Sequence, residues 1–118
     1  MLARANRVLR PDDFRQAVRR GRRVSTAHAV LYLYPRPASE PTRFGFIVSK
    51  AVGNAVTRNL VRRRMRAVAH DVLPSMQTGA DVVVRGLPGV DQVPWQTLAS
   101  ELTDAMSTGA MSTGRPRA

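Results

Sequence analysis

The apolar residues of this chain fall into six runs, spaced at either the helical or the strand interval. In the first, Phe14, Ala17 and Val18 recur at i, i+3 and i+4 behind Pro11-Asp12-Asp13, and Gly21 follows Arg19-Arg20. Proline fits the first turn of a helix and acids favour its positive end, so the pattern predicts a short helix over 12–20. Residues 28–35 (HAVLYLYP) alternate as a strand does, with Ala29, Leu31 and Leu33 on one face and Val30, Tyr32 and Tyr34 on the other. The aliphatic face is expected to be buried. The other is aromatic and carries hydroxyls, which suits a platform for stacking bases. Residues 43–49 (RFGFIVS) predict a second strand, apolar on both faces and therefore expected at the centre of a sheet. Gly45 within it would leave room for another backbone.

The longest period runs from Ala55 to Val72. Asn54 is a good N-cap, Gly53 permits a tight approach, and no proline interrupts before Pro74. At ~100° per residue, Val61, Met65, Val68 and Val72 form one stripe, and Arg58, Asn59, Arg62, Arg63 and Arg66 fall on the far side. Leu60 and Arg64 sit nearer the flanks. Residues 80–85 (ADVVVR) predict a β-branched strand beside the second one, with the long helix as the crossover. After a turn-rich segment, Leu98, Leu102 and Met106 share one helical face, and Trp95 is expected to anchor that last helix to the sheet. AMSTG then occurs twice, at 105–109 and 110–114, before RPRA. The pattern gives one domain over 1–106, with 1–10 as a basic N-terminal arm, extended or loosely packed. Residues 107–118 form a low-complexity tail expected to be disordered.

Charge changes this from a fold to a partner. The 118 residues carry 19 Lys+Arg against 8 Asp+Glu, a formal net charge of +11, and Lys50 is the only lysine. No acid occurs between 41 and 70, so the arginines of the long helix have no compensating charge nearby in sequence. A solvated face ordinarily mixes signs. Rows of planar guanidinium forks suit phosphates, so nucleic acid is the leading partner. A membrane surface fits less well, because the stripe opposite the arginines is Val and Met, the size of a core stripe. No apolar run reaches membrane length, and the Arg-rich start lacks the apolar core of a signal peptide. The absence of cysteine rules out disulfides and thiolate chemistry and fits a reducing compartment, with cytoplasmic location the expectation.

Enzyme constellations fail. GxxxxGK[ST], HExxH and Cys/His metal patterns are missing, and the acids are scattered. His28, at the mouth of the first strand, is expected to face solvent. The sequence therefore predicts no metal site and no catalytic residue; any catalysis would run through a partner.

The stretch VSKAVGNAVTRNLVRRRMR resembles the signature of the protein subunit of bacterial ribonuclease P, VSK-x-x-GNA-x-x-RNR-x-[KR]R-x-x-R. NRVLRPDDF, VLY at 30–32 and DVVVR resemble the family's flanking segments in order and spacing, so the resemblance covers residues 5–106. Four positions depart from it. Leu60 stands for the third residue of RNR, Arg64 for a more usual apolar residue, Ala51 for the second base of SKK, and Val18 for a second aromatic. The AMSTG repeat lies outside the pattern.

The resemblance implies an α+β, two-layer sandwich: an about four-stranded mixed sheet with three helices, of the ribosomal protein S5 domain 2-like kind. It also implies a left-handed βαβ crossover through the basic helix, where general topology favours a right-handed one. The implied function is that of a subunit of the tRNA 5′-processing endoribonuclease, whose catalytic RNA uses Mg²⁺ to cut precursor tRNA. The protein would bind that RNA and hold the 5′ leader. By position, Arg58, Asn59, Arg62, Arg63 and Arg66, with Lys50 and Asn54, would contact the catalytic RNA or line the nearby leader path. Phe14, Val18, Val30 and Tyr32 would line a leader cleft between the first helix and the sheet. A structural RNA binder of ribosomal type is the competing reading. A DNA-binding module ranks behind it, because a strand-like run rather than a helix precedes Gly53-Asn54.

Overall fold

In the computed structural model, which describes residues 2–76 and 79–114 with side chains to 107, alternation along a single strand divides the molecule into two sides. The elements are α1 (Pro11–Arg20), β1 (Arg22–Ser25), β2 (Ala29–Pro35), β3 (Arg43–Ile47), α2 (Ala55–Val72), β4 (Ala80–Gly86) and α3 (Trp95–Gly114). The sheet has the order β1-β2-β4-β3. β2 pairs antiparallel with β1 and β4, and β3 pairs parallel with β4 through the α2 crossover. On one side, Leu31 and Leu33 of β2, Val82 and Val84 of β4 and Phe44 of β3 pack beneath α2 and α3. The predicted helical stripes supply the other half of this core: Val61, Met65, Val68 and Val72 from α2, and Leu98, Leu102 and Met106 from α3. On the opposite side, Val30, Tyr32 and Val83 pack beneath Ala17 of the shorter α1.

Several local expectations change. β3 lies at the sheet's edge, and β2 and β4 are central. Its two apolar faces are explained by cover from both sides, not by hydrogen-bonded neighbours on both edges. The open edge is shielded by the N-terminal arm: Arg7 bridges to Phe44, and the Val8 N–H donates to the Phe44 carbonyl at 2.8 Å. The arm is pinned, not loose, since Leu2 and Val8 are both buried.

β1, with one apolar residue in four, has no period to announce it. It forms because the Thr26 turn folds it back on β2: the Thr26 N–H donates to the Ala29 carbonyl at 2.8 Å, and Thr26 Oγ1 accepts from the Ala29 N–H at 3.0 Å. A short, arginine-bearing edge strand also resists pairing with another chain.

Trp95 does not anchor α3; it is 40% exposed, and Leu98, Leu102 and Met106 are the buried contacts. His28 is not free in solvent either. Its Nδ1 lies 2.6 Å from Glu101 Oε2, and its backbone N–H donates to Glu101 Oε1 at 3.2 Å, tying α3 to the start of β2. Burial pushes the Glu101 carboxyl up, but hydrogen bonds from His28 and Thr26 outweigh it and hold the group below its ordinary value. The helical backbone of α3 continues through both AMSTG copies to Gly114, where the composition predicted disorder. Each added helical residue gains a hydrogen bond once the first turns are packed, and no proline intervenes before 116. The rest of the expected tail, 115–118, lies outside the described residues.

Candidate nucleic-acid interface

α2 starts where the sequence places it, with Asn54 Oδ1 accepting from the Thr57 N–H at 2.9 Å. Its core stripe turns Asn59, Arg62, Arg63 and Arg66 toward the other side, where they line one shallow depression of about 470 Å³ together with Val56. Val56 is 78% exposed, the most open large apolar residue among those described. No salt bridge joins an α2 arginine to an acid among the described residues. Arg62 is steadied by neutral groups instead: Nη1 donates to Asn59 Oδ1 at 3.1 Å and Nη2 to the Val48 carbonyl at 3.4 Å.

Arg58 does not belong to this depression. It sits ~60° round the helix from Val61, is half-buried, and has an enclosed Nε without a hydrogen-bond partner in the chain. The far-side placement read from the wheel therefore does not hold for it. Lys50 and Asn54 lie in the segment between β3 and α2, both exposed, with the Asn54 side chain engaged as the cap.

The second group of predicted residues meets on the α1 side of the sheet. Phe14 and Val18 pack against a cluster that contains Val30 and Tyr32. The two strand residues are 5% and 6% exposed, so α1 covers them and they support the surface more than they form it. Strand register shows what remains open. Val30 stands opposite Arg85, and Arg85 opposite Ile47. One row further lie Tyr32, Val83 and Gly45, and then Tyr34, Asp81 and Arg43. Residues two apart on a strand share a face, so all nine face α1. α1 occupies the second and third rows. Gly45 admits not a backbone, as expected, but the Phe14 ring: an added Cβ would lie 2.5 Å from Phe14 Cε1. Gln16 Nε2 donates to the Tyr34 hydroxyl at 3.2 Å, and Arg43 lies 3.5 Å from Asp13.

The first row is buried at Val30 but open beyond it, with Arg85 exposed and Ile47 half-buried. Leu87, also half-buried, packs on the same cluster. Arg85, Ile47, Leu87 and Val56 line these candidate surfaces and were missed by sequence reading. The parity of Arg85 with Val83 was legible within DVVVR; that Val30 and Ile47 flank it was not.

The two surfaces meet at 47–50, where β3 ends and the Arg62 guanidinium reaches the Val48 carbonyl. Together they offer unpaired cations on a rigid helix beside a half-apolar strip with a cationic floor. Such a surface is chemically suited to a polyanion with unpaired bases. Among the described residues no three His, Cys, Asp or Glu side chains gather to hold a metal. No helix among them is long and apolar enough to cross a membrane.

Comparison with known proteins agrees with the fold. The ribonuclease P protein component of Clavibacter michiganensis subsp. michiganensis is 52% identical over 107 residues, covering 91% of this chain and 95% of its own. That of Arthrobacter sp. is 44% identical, covering 92% and 79%. The solved RNase P protein of Staphylococcus aureus superposes with a TM-score of 0.78 at 25% identity, covering 89% of this chain and 95% of its own. The RNase P protein of Thermotoga maritima shares the fold, with a TM-score of 0.74 at 20% identity and coverage of 83% and 92%. The sequence model of the Ribonuclease P family matches residues 2–109, essentially the whole folded unit, and this chain belongs to that family.

Proposed function

We propose that this chain serves as the RNA-binding protein subunit of a bacterial ribonuclease P, with its two surfaces dividing the work. The α2 row, Asn59, Arg62, Arg63 and Arg66 with Lys50 nearby, holds backbone phosphates of the catalytic RNA. The strip beside α1, walled by Phe14 and Val18 over Val30 and Tyr32 and floored by Arg85 and Ile47, holds the single-stranded 5′ leader of precursor tRNA. The observation that carries the reading is the α2 depression, whose arginines face outward with no acid partner among the described residues. Arginine on phosphate is strong, salt-sensitive and largely blind to sequence, and an apolar wall accepts any base. A leader of varying sequence needs that tolerance.

The chain contributes no reacting group in this scheme. Mg²⁺ would be held by the RNA and would supply the activated water there. The protein's residues bind and orient, adding interactions that lower the magnesium needed for productive assembly.

The test is precursor-tRNA cleavage by a bacterial ribonuclease P RNA in low magnesium, with and without the chain. The expected result is acceleration that grows with leader length up to a plateau. With Arg62→Ala/Arg63→Ala, the slope of log affinity against log salt for the catalytic RNA should flatten by about 1.4–1.8, that is about 0.7–0.9 for each phosphate left without its arginine. No acceleration with tight RNA binding retained would leave a structural RNA binder of ribosomal type.

A further inference from the structure

A second concentration of arginine lies outside both of these surfaces. Arg4, Arg7 and Arg10, with Arg36 and Arg43 behind them, line a depression of about 550 Å³ that also exposes Leu9. It sits at the Arg43 end of β3, whereas the strip assigned to the leader sits at the Ile47 end. Four residue steps along the strand separate these ends, about 13 Å.

The back wall and the mouth of this depression differ electrically. Arg43 donates from Nε and Nη2 to the Asp81 carboxylate, both at 2.7 Å. Arg36 donates to Glu40 Oε1 at 2.6 Å and to the Pro41 carbonyl at 2.5 Å. Those two guanidiniums are fixed and neutralised. Arg4, Arg7 and Arg10 at the mouth have no acid within salt-bridge distance among the described residues. Arg7 Nε is enclosed and makes no hydrogen bond within the chain.

A loose arm would let these charges spread apart. This arm cannot, because Leu2 is buried in the main core, Asn6 Nδ2 donates to the Thr42 carbonyl at 2.9 Å, and Val8 is hydrogen-bonded to Phe44. Holding like charges together destabilises the fold unless an anion covers them. Leu9 beside them is 47% exposed, an apolar ledge next to a set of phosphate forks. Phosphate on the guanidiniums with a ribose or base against the leucine is the chemistry of a ribonucleotide backbone.

We infer that the arm depression is a second, independent phosphate-binding site for RNA. The inference extends the RNA-binding reading above to a surface that reading does not use. Two segments of RNA share the chemistry: a stretch of the catalytic RNA, or the distal part of a leader that has passed beneath α1.

Arg4→Ala/Arg10→Ala in the full chain tests it, since both residues are exposed and the enclosed Arg7 is left in place. A melting temperature no lower than that of the wild type confirms that the arm stays docked, since removing like charges relieves repulsion. Affinity is then measured across a salt series for the catalytic RNA alone and, in the holoenzyme, for precursor tRNAs with short and long leaders. The site predicts a salt slope flatter by about 1.4–1.8 and binding at least ~10-fold weaker at low salt, additive with Arg62→Ala/Arg63→Ala. A loss with the catalytic RNA alone assigns the occupant to that RNA; a loss confined to long leaders assigns it to the leader. A mixed-sequence single-stranded RNA oligomer, bound by the free chain carrying Arg62→Ala/Arg63→Ala, separates this site from the holoenzyme role. Weaker oligomer binding after the arm substitutions supports the site even if the chain fails to accelerate cleavage. Unchanged slopes with every RNA would overturn it.

Discussion

Gly45→Ala would press a methyl group into the Phe14 ring, the wall of the strip proposed for the leader. The added Cβ would lie 2.5 Å from Phe14 Cε1, 2.7 Å from Phe14 Cζ and 3.1 Å from Val8 Cβ. Ordinary carbon contacts lie at about 3.5–4.0 Å, so the ring must retreat by about 1 Å or α1 must tilt. Overpacking of this kind costs about 1–3 kcal/mol. Alanine in place of glycine in a strand returns about 0.5–1 kcal/mol through the unfolded chain, leaving a net loss of about 1 kcal/mol. The sign depends on Phe14. In a Phe14→Ala background the clash with the ring disappears, the milder approach to Val8 remains, and Gly45→Ala should become neutral or slightly stabilising. Urea unfolding of the four proteins in this double-mutant cycle should give a coupling energy of about 1–2 kcal/mol. In the holoenzyme, Gly45→Ala alone should weaken the binding of long-leader substrates more than short-leader ones. Equal costs of Gly45→Ala in the two backgrounds would refute the argument that Phe14 is seated on a floor only glycine provides.

Asp81→Asn removes the carboxylate, 5% exposed, that receives both Arg43 bonds and lies 3.7 Å from Arg36, leaving Arg43 with the more distant Asp13 at 3.5 Å and Arg36 with Glu40. Arg43 is partly exposed, so the loss should fall near the low end of the range for broken buried pairs, about 2–3 kcal/mol in urea unfolding, and added sulfate should recover part of it. Glu101→Gln should cost about 1 kcal/mol at neutral pH, because the carboxylate accepts from both the ring and the backbone of His28. The Glu101 pKa is held below its ordinary 4.5 in the folded chain, so its stabilisation is present above that value and lost as pH falls through the folded pKa. The difference in melting temperature between wild type and Glu101→Gln should therefore shrink on acidification below about pH 4.5.

Much of this molecule is decided by spacing within single elements. The α2 stripe, the cap at Asn54 and the buried face of α3 follow from intervals of three and four residues, because a helix turns each side chain by a fixed angle whatever it packs against. The alternation of β2 likewise sorted its residues correctly between two faces. The absence of acids from 41 to 70 by itself pointed to a polyanion as the partner of the α2 arginines. The family resemblance rests on the same stretch.

Tertiary structure decided what depends on neighbours distant in sequence. Which side of the sheet α1 covers made Tyr32 a buried support and left Arg85 as open floor, and nothing within either strand encodes that choice. β3 sits at an edge although both its faces are apolar, because the N-terminal arm and Phe14 provide cover that a strand cannot announce. The Nε of Arg58, ~60° round the helix from Val61, is enclosed only once α2 docks on the core. Local periodicity fixes the direction of a side chain relative to its own backbone. Whether that direction meets solvent, a ring or an anion is set by the packing of elements that only folding brings together.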